Sequence, residues 1–143
     1  MRICIGAFIF IIAISSCTFG LNLEDYKIGA MDLDNAWKIT AAFDYISELG
    51  DYWKSPKEFE FDGGGDCEDF AIYLMYLLGP ESKLIIVYDD DYKHALVLWE
   101  NEFLEPQIYK CKVKLNSNIK YTVSSYNRVM AFATKNGTKS IGE

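Results

Sequence analysis

Gly63-Gly64-Gly65-Asp66-Cys67-Glu68-Asp69-Phe70-Ala71-Ile72-Tyr73-Leu74-Met75-Tyr76-Leu77-Leu78-Gly79-Pro80 is the stretch from which the rest of the chain is best read. Three glycines make a turn that no side chain obstructs, and Gly79-Pro80 is a helix stop. Between them Phe70, Ala71, Leu74 and Leu77 or Leu78 recur on one stripe, so a helix is predicted over 67–78. Cys67 would open it, where unpaired N–H groups and the positive end of the helix dipole favour a thiolate. The carboxylates of Asp66, Glu68 and Asp69 oppose that anion, so an imidazolium must compensate. The acids read as helix caps or, alternatively, as oxygen ligands for a hard cation such as calcium, Asp66 and Glu68 foremost.

Upstream, Trp37, Ile39, Phe43, Ile46 and Leu49 recur at spacings near three and four, with Asp34 or Asn35 as the cap and Gly50 as the stop. One amphipathic helix across this region is predicted. Residues 52–62 read as punctuation leading into the glycine turn. Downstream, 83–88 is a buried strand by its β-branched content, and 94–99 is the next strand. Glu100-Asn101 turns the chain back into 102–108, which Pro106 interrupts. More strand is expected at 112–115 and 119–123, while 126–134 is ambiguous between strand and helix. Helices first and an antiparallel sheet after is an α+β organisation.

His94 is the sole histidine of the chain and opens its strand. Gly65-Asp66-Cys67-Glu68-Asp69-Phe70-Ala71 resembles the nucleophile signature of the transglutaminase-like cysteine protease superfamily, especially its exported bacterial branch. Trp53-Lys54-Ser55-Pro56-Lys57-Glu58-Phe59 is similar to that branch as well, and the segments together span 34–107. The resemblance implies a papain/transglutaminase-like fold with the nucleophile at a helix N-terminus packed on an antiparallel sheet. It implies Cys67 as nucleophile and His94 as general base, since the superfamily's base opens the strand after the one following the cysteine helix, in a motif similar to His94-Ala95.

The family generally orients its histidine with an aspartate before a proline near the end of the next strand. Here Leu104-Glu105-Pro106 stands in that place, so the implied third member is Glu105, a departure from the pattern. A two-residue turn at Glu100-Asn101 would pair Trp99 with Glu102, Leu96 with Glu105 and His94 with Gln107. Glu105 then lies on the diagonal from His94, at about 7–8 Å between backbones, with Gln107 directly opposite. Glu105 is preferred and Gln107 is the alternative. For the oxyanion, the Cys67 backbone N–H is one donor and Trp53 or Tyr52 the candidate for the second.

At the N-terminus, Arg2, the apolar run 3–14 and the small residues Ser15 and Ser16 follow signal-peptide grammar over 1–16. The run falls short of the roughly 20 apolar residues of a membrane span. Ile14-Ser15-Ser16-Cys17 resembles the bacterial lipobox, which implies lipidation of Cys17; ordinary cleavage near Ser16 or Gly20 is the alternative. Residues 17–33 read as a tether and docking segment and 34–143 as one domain. Two cysteines then remain in that domain, Cys67 and Cys111, and a disulfide staple between them is a third, structural reading.

The chain has 143 residues, 50% apolar and 15% aromatic, which suits one packed core. Its net charge of -7 excludes a nucleic-acid partner and a polybasic grip on lipid. The expectation is an exported protein of the cell envelope, held by a lipid anchor on the periplasmic or outer surface. It would be a thiol hydrolase acting on a protein or peptide, with no required cofactor and calcium as an optional ligand. The alternative is a drifted, non-catalytic domain of the same fold that binds a partner, with or without calcium.

Overall fold

A computed structural model describes residues 31–50, 52–90 and 92–134. The signal, the lipobox with Cys17 and most of the tether lie outside the described residues. The first helix, α1 (Leu33–Thr40), is capped by Asp32, whose carboxylate accepts the Asn35 N–H, rather than by Asp34 or Asn35. It buries Ala36, Trp37 and Thr40 and then stops, well before Gly50. The apolar period that predicted a longer helix is used differently. Phe43 packs on Phe59 and Tyr73 at 4.8 and 5.2 Å, while Leu49 is fully exposed. Between them β1 (Asp44–Tyr45) pairs in parallel with β2 (Gly64–Gly65). Pairing with a distant glycine strand has overridden local helical period, and it needs the glycine: a Cβ on Gly64 would run into the Asp44 carbonyl.

A second helix, α2 (Pro56–Asp62), occupies what reads as mere punctuation. Ser55 and Glu58 form a reciprocal capping box, Pro56 fills the first turn, and Gly63 ends it at a left-handed φ of 80°. The third helix, α3 (Cys67–Leu78), has the predicted bounds but more than one buried stripe: Ile72, Tyr73 and Met75 are as inaccessible as Phe70, Ala71 and Leu74. It is the axis of the main core, wrapped by α1, α2 and the sheet.

The sheet comprises β3 (Lys83–Asp89), β4 (Tyr92–Trp99), β5 (Glu102–Leu104), β6 (Lys112–Val113) and β7 (Lys120–Ser125), in the order β6-β5-β4-β3-β7, antiparallel throughout. Glu100 and Asn101 both take positive φ, 47° and 65°, and bring Trp99 opposite Glu102. β5 ends at Leu104 rather than continuing to 108, because Pro106 has no N–H to give a ladder. Residues 126–133 resolve as helix α4 (Tyr126–Ala133), which buries Val129 and Ala133. Leu84, Ile86, Ala95, Val97 and Leu104 belong to the main core, and Ile85, Val87 and Leu96 to a smaller second one. No described helix is long and apolar enough to cross a membrane.

Candidate active site

Cys67 occupies the first position of α3. Asp66 accepts the Asp69 N–H and Asp69 accepts the Asp66 N–H, a reciprocal box that fixes the turn carrying the sulfur. The half-buried thiol donates to Glu68 Oε2 at 2.8 Å, and Glu68 also holds Lys93 Nζ at 3.2 Å. The sulfur lies against the backbone N–H of Ala95, the residue after His94. Among the described residues the side-chain partner of the thiol is therefore Glu68, not His94.

Burial pushes the Cys67 thiol up to about 12, the Glu68 carboxylate pushes the same way, and the Ala95 N–H opposes both. The helix N-terminus, expected from the sequence to lower this pKa, is outweighed by desolvation and a neighbouring anion. Burial also raises Asp69 to about 7, against the N–H bonds it accepts, and Asp66 to about 6 with the help of Glu68. Glu68 itself is lowered: burial opposes ionisation, but the Cys67 thiol and Lys93 together overcome it.

His94 Nε2 meets Glu105 Oε2 at 2.5 Å, a charge-assisted contact. The other carboxylate oxygen of Glu105 accepts the Gln107 N–H at 3.2 Å, so of the two residues weighed for this role Glu105 touches the ring and Gln107 supports Glu105 through its backbone. The Tyr92 ring lies beside the imidazole, with centroids 5.7 Å apart. Tyr45 and Tyr92, both more than half exposed, are close enough to Cys67 to feel its charge.

The proposed oxyanion side chains have other partners. Tyr52 donates its hydroxyl to Glu58 at 2.6 Å, and Trp53 is buried edge-on to Phe132 at 5.2 Å. Lys54, which the sequence did not single out, is buried between them and α3. Its ammonium reaches Glu48 at 2.6 Å, Asp62 at 3.0 Å and the Gly64 carbonyl at 3.0 Å, while its N–H donates to Asp69 at 2.7 Å. It holds the glycine turn beneath the nucleophile.

The acidic residues do not converge on a cation. Among the described residues no group of three or more ligands is gathered, because Asp66 and Asp69 cap α3 and Glu68 is engaged by Cys67 and Lys93. Asp89 bonds the Asp90 N–H in the exposed β3–β4 turn. The disulfide reading is overturned, since Cys67 and Cys111 are both free. Cys111 serves through its carbonyl, which accepts the Glu105 N–H at 2.9 Å.

No family model matches this chain, and no curated protein does. Among solved structures, Legionella pneumophila LapG superposes with a TM-score of 0.54 at 23% identity, covering 71% of this chain and 75% of that one. EGTA-treated and calcium-bound LapG match more loosely, each at a TM-score of 0.49, with 26% and 24% identity. They cover 62% and 66% of this chain and 59% and 67% of those chains. A central helix opened by a cysteine, packed on a five-stranded antiparallel sheet, is thus a papain/transglutaminase-like fold shared with LapG.

Proposed function

We propose that the protein is a thiol hydrolase of transglutaminase-like type that cleaves a peptide or amide bond, exported and anchored through a lipid on Cys17. The observation that carries this reading is the His94–Glu105 contact one residue from the Ala95 N–H that meets the Cys67 sulfur. Glu105 holds Nε2, which leaves Nδ1 to take the thiol proton. The thiol first turns from Glu68, which keeps Lys93 as its partner. Sulfur then adds to the substrate carbonyl as its proton passes to His94. Collapse breaks the C–N bond, His94 returns that proton to the leaving amine, and a thioester remains. Water, deprotonated by His94, hydrolyses the thioester and restores the thiol. The Cys67 N–H at the start of α3 serves as an oxyanion donor. Substrates of such an enzyme are surface proteins or cell-wall peptides.

A peptide-based acyl probe tests this. Labelling at Cys67 is expected in the full-length protein, lost in Cys67→Ala and slowed by about 10³-fold or more in His94→Ala. Undiminished labelling of His94→Ala ends the enzyme reading. The thiol–Glu68 bond favours the second reading, a domain that has kept the fold and binds a partner without turnover. Calcium titration followed by tryptophan fluorescence separates the two. A saturable response with no Cys67-dependent turnover selects the binding domain, with Asp66 and Glu68 rearranged as ligands.

A further inference from the structure

Trp37 lies on α1, 68 residues from Glu105, and is 2% exposed. Its indole N–H donates to the Glu105 carbonyl at 2.8 Å. A buried tryptophan usually finds an acceptor for its N–H. Here the acceptor belongs to the residue whose carboxylate holds the histidine. Glu105 stands one residue beyond the last β4–β5 pair, Val97 with Leu104, and is followed by a proline. On one side its peptide is fixed by its own N–H on the Cys111 carbonyl. On the other side, among the described residues, its carbonyl accepts from Ile108 N–H, at a long 3.3 Å inside the same loop, and from Trp37.

The remaining ties between α1 and this loop are weak. Tyr109 donates to Asp34 at 2.7 Å and Lys110 pairs with Asp34 at 3.2 Å, but these groups are exposed, and exposed ion pairs stabilise little. The buried indole bond is the one that governs how the Glu105 peptide plane sits, and with it the direction in which the carboxylate leaves the chain toward His94. We infer that Trp37 is a positioning residue for the Glu105–His94 pair, acting from α1 through the Glu105 carbonyl. This rests on the reading of Glu105 as the group that orients His94.

His94 is the only histidine, so ¹⁵N-histidine labelling of the full-length protein reports one ring. Trp37→Phe keeps an aromatic ring and removes the N–H. The Nε2 resonance should move toward that of a free imidazole, and the saturating rate of acyl-probe labelling should fall about tenfold with the half-saturating concentration unchanged. Val129→Ala, on the buried face of α4, should leave the His94 ring signals in place. An unmoved ring in Trp37→Phe, or an equal shift in Val129→Ala, overturns the inference. Glu105→Ala tests the underlying reading separately: if it too leaves the ring unmoved, Glu105 is not the partner in solution. Should Trp37→Phe not fold, His94→Gln, which takes the ring away from Glu105, should shift the Trp37 indole N–H resonance, and an unshifted indole signal overturns the inference.

Discussion

The two halves of the site are built in different ways. The nucleophile half is nearly contiguous, with the glycine turn, the capping box and the helix lying within 64–78, and Lys54 is its main outside support. The base half is assembled from three distant pieces: His94 on β4, Glu105 past the end of β5, and Trp37 on α1. Their electrostatics differ as well. Burial and two carboxylates, Glu68 and then Asp66, keep the proton on the sulfur, whereas one carboxylate faces the imidazole at 2.5 Å. Local chemistry makes the first half; tertiary packing makes the second.

The nucleophile half should therefore fail mainly as a matter of stability when its main outside support is removed. Lys54→Met leaves Glu48 and Asp62 without their cation and Gly64 O without its donor. A loss of about 3 kcal/mol in folding free energy is expected, at the low end for breaking a buried pair because Asp62 is exposed enough to rehydrate. Urea unfolding with an unchanged m-value measures it. A change below about 0.5 kcal/mol would show that the turn holds itself without Lys54.

The same division explains what the sequence reveals. The helix at 67–78, its cap and the antiparallel hairpin at Glu100-Asn101 are written in neighbouring residues, and each can be read without knowing the fold. The helix at 56–62 is also written locally, in Ser55-Pro56 and Glu58, but it is easily passed over as punctuation because only seven residues follow that signature. The early end of α1 is not local: Phe43 turns away to Phe59 and Tyr73, and a parallel pairing with Gly64-Gly65 replaces the helical turn. Lys54 and Trp37 are invisible as site residues for the same reason, since the carbonyls their side chains reach lie 10 and 68 positions away. Glu68 stands next to Cys67, yet only the fold shows that it accepts a hydrogen bond from the thiol while pairing with Lys93.

The base half should lose activity with little loss of fold. Glu105→Ala removes the carboxylate from His94 and leaves the Gln107 N–H without its acceptor, while the Glu105 backbone bonds to Cys111 and Trp37 can remain. Acyl-probe labelling is expected to slow by about 10²-fold, a cost of about 2.7 kcal/mol in the barrier. The midpoint of thermal unfolding should shift by only a few degrees, which separates the two halves in one pair of measurements. A collapse in stability to match the activity loss would show that the imidazole–carboxylate pair is part of the scaffold.

The smallest effect sharpens the electrostatic side of the contrast, and its sign is the opposite of a normal site substitution. The Cys67 thiol is neutral until high pH, first because it is buried and then because it donates a hydrogen bond to Glu68, whose charge opposes the thiolate. Glu68→Gln removes the charge but keeps a hydrogen-bonding oxygen, so burial remains and the anion's push disappears. A fall of about one unit in the thiol pKa raises the thiolate fraction, and hence the iodoacetamide rate at pH 8, about tenfold. Below the thiol pKa, the logarithm of that rate should still climb with a slope near one in both proteins, the variant's line lying above. An unchanged or slower rate in Glu68→Gln would mean that desolvation alone holds the thiol neutral, and that the carboxylates at the head of α3 are caps and nothing more.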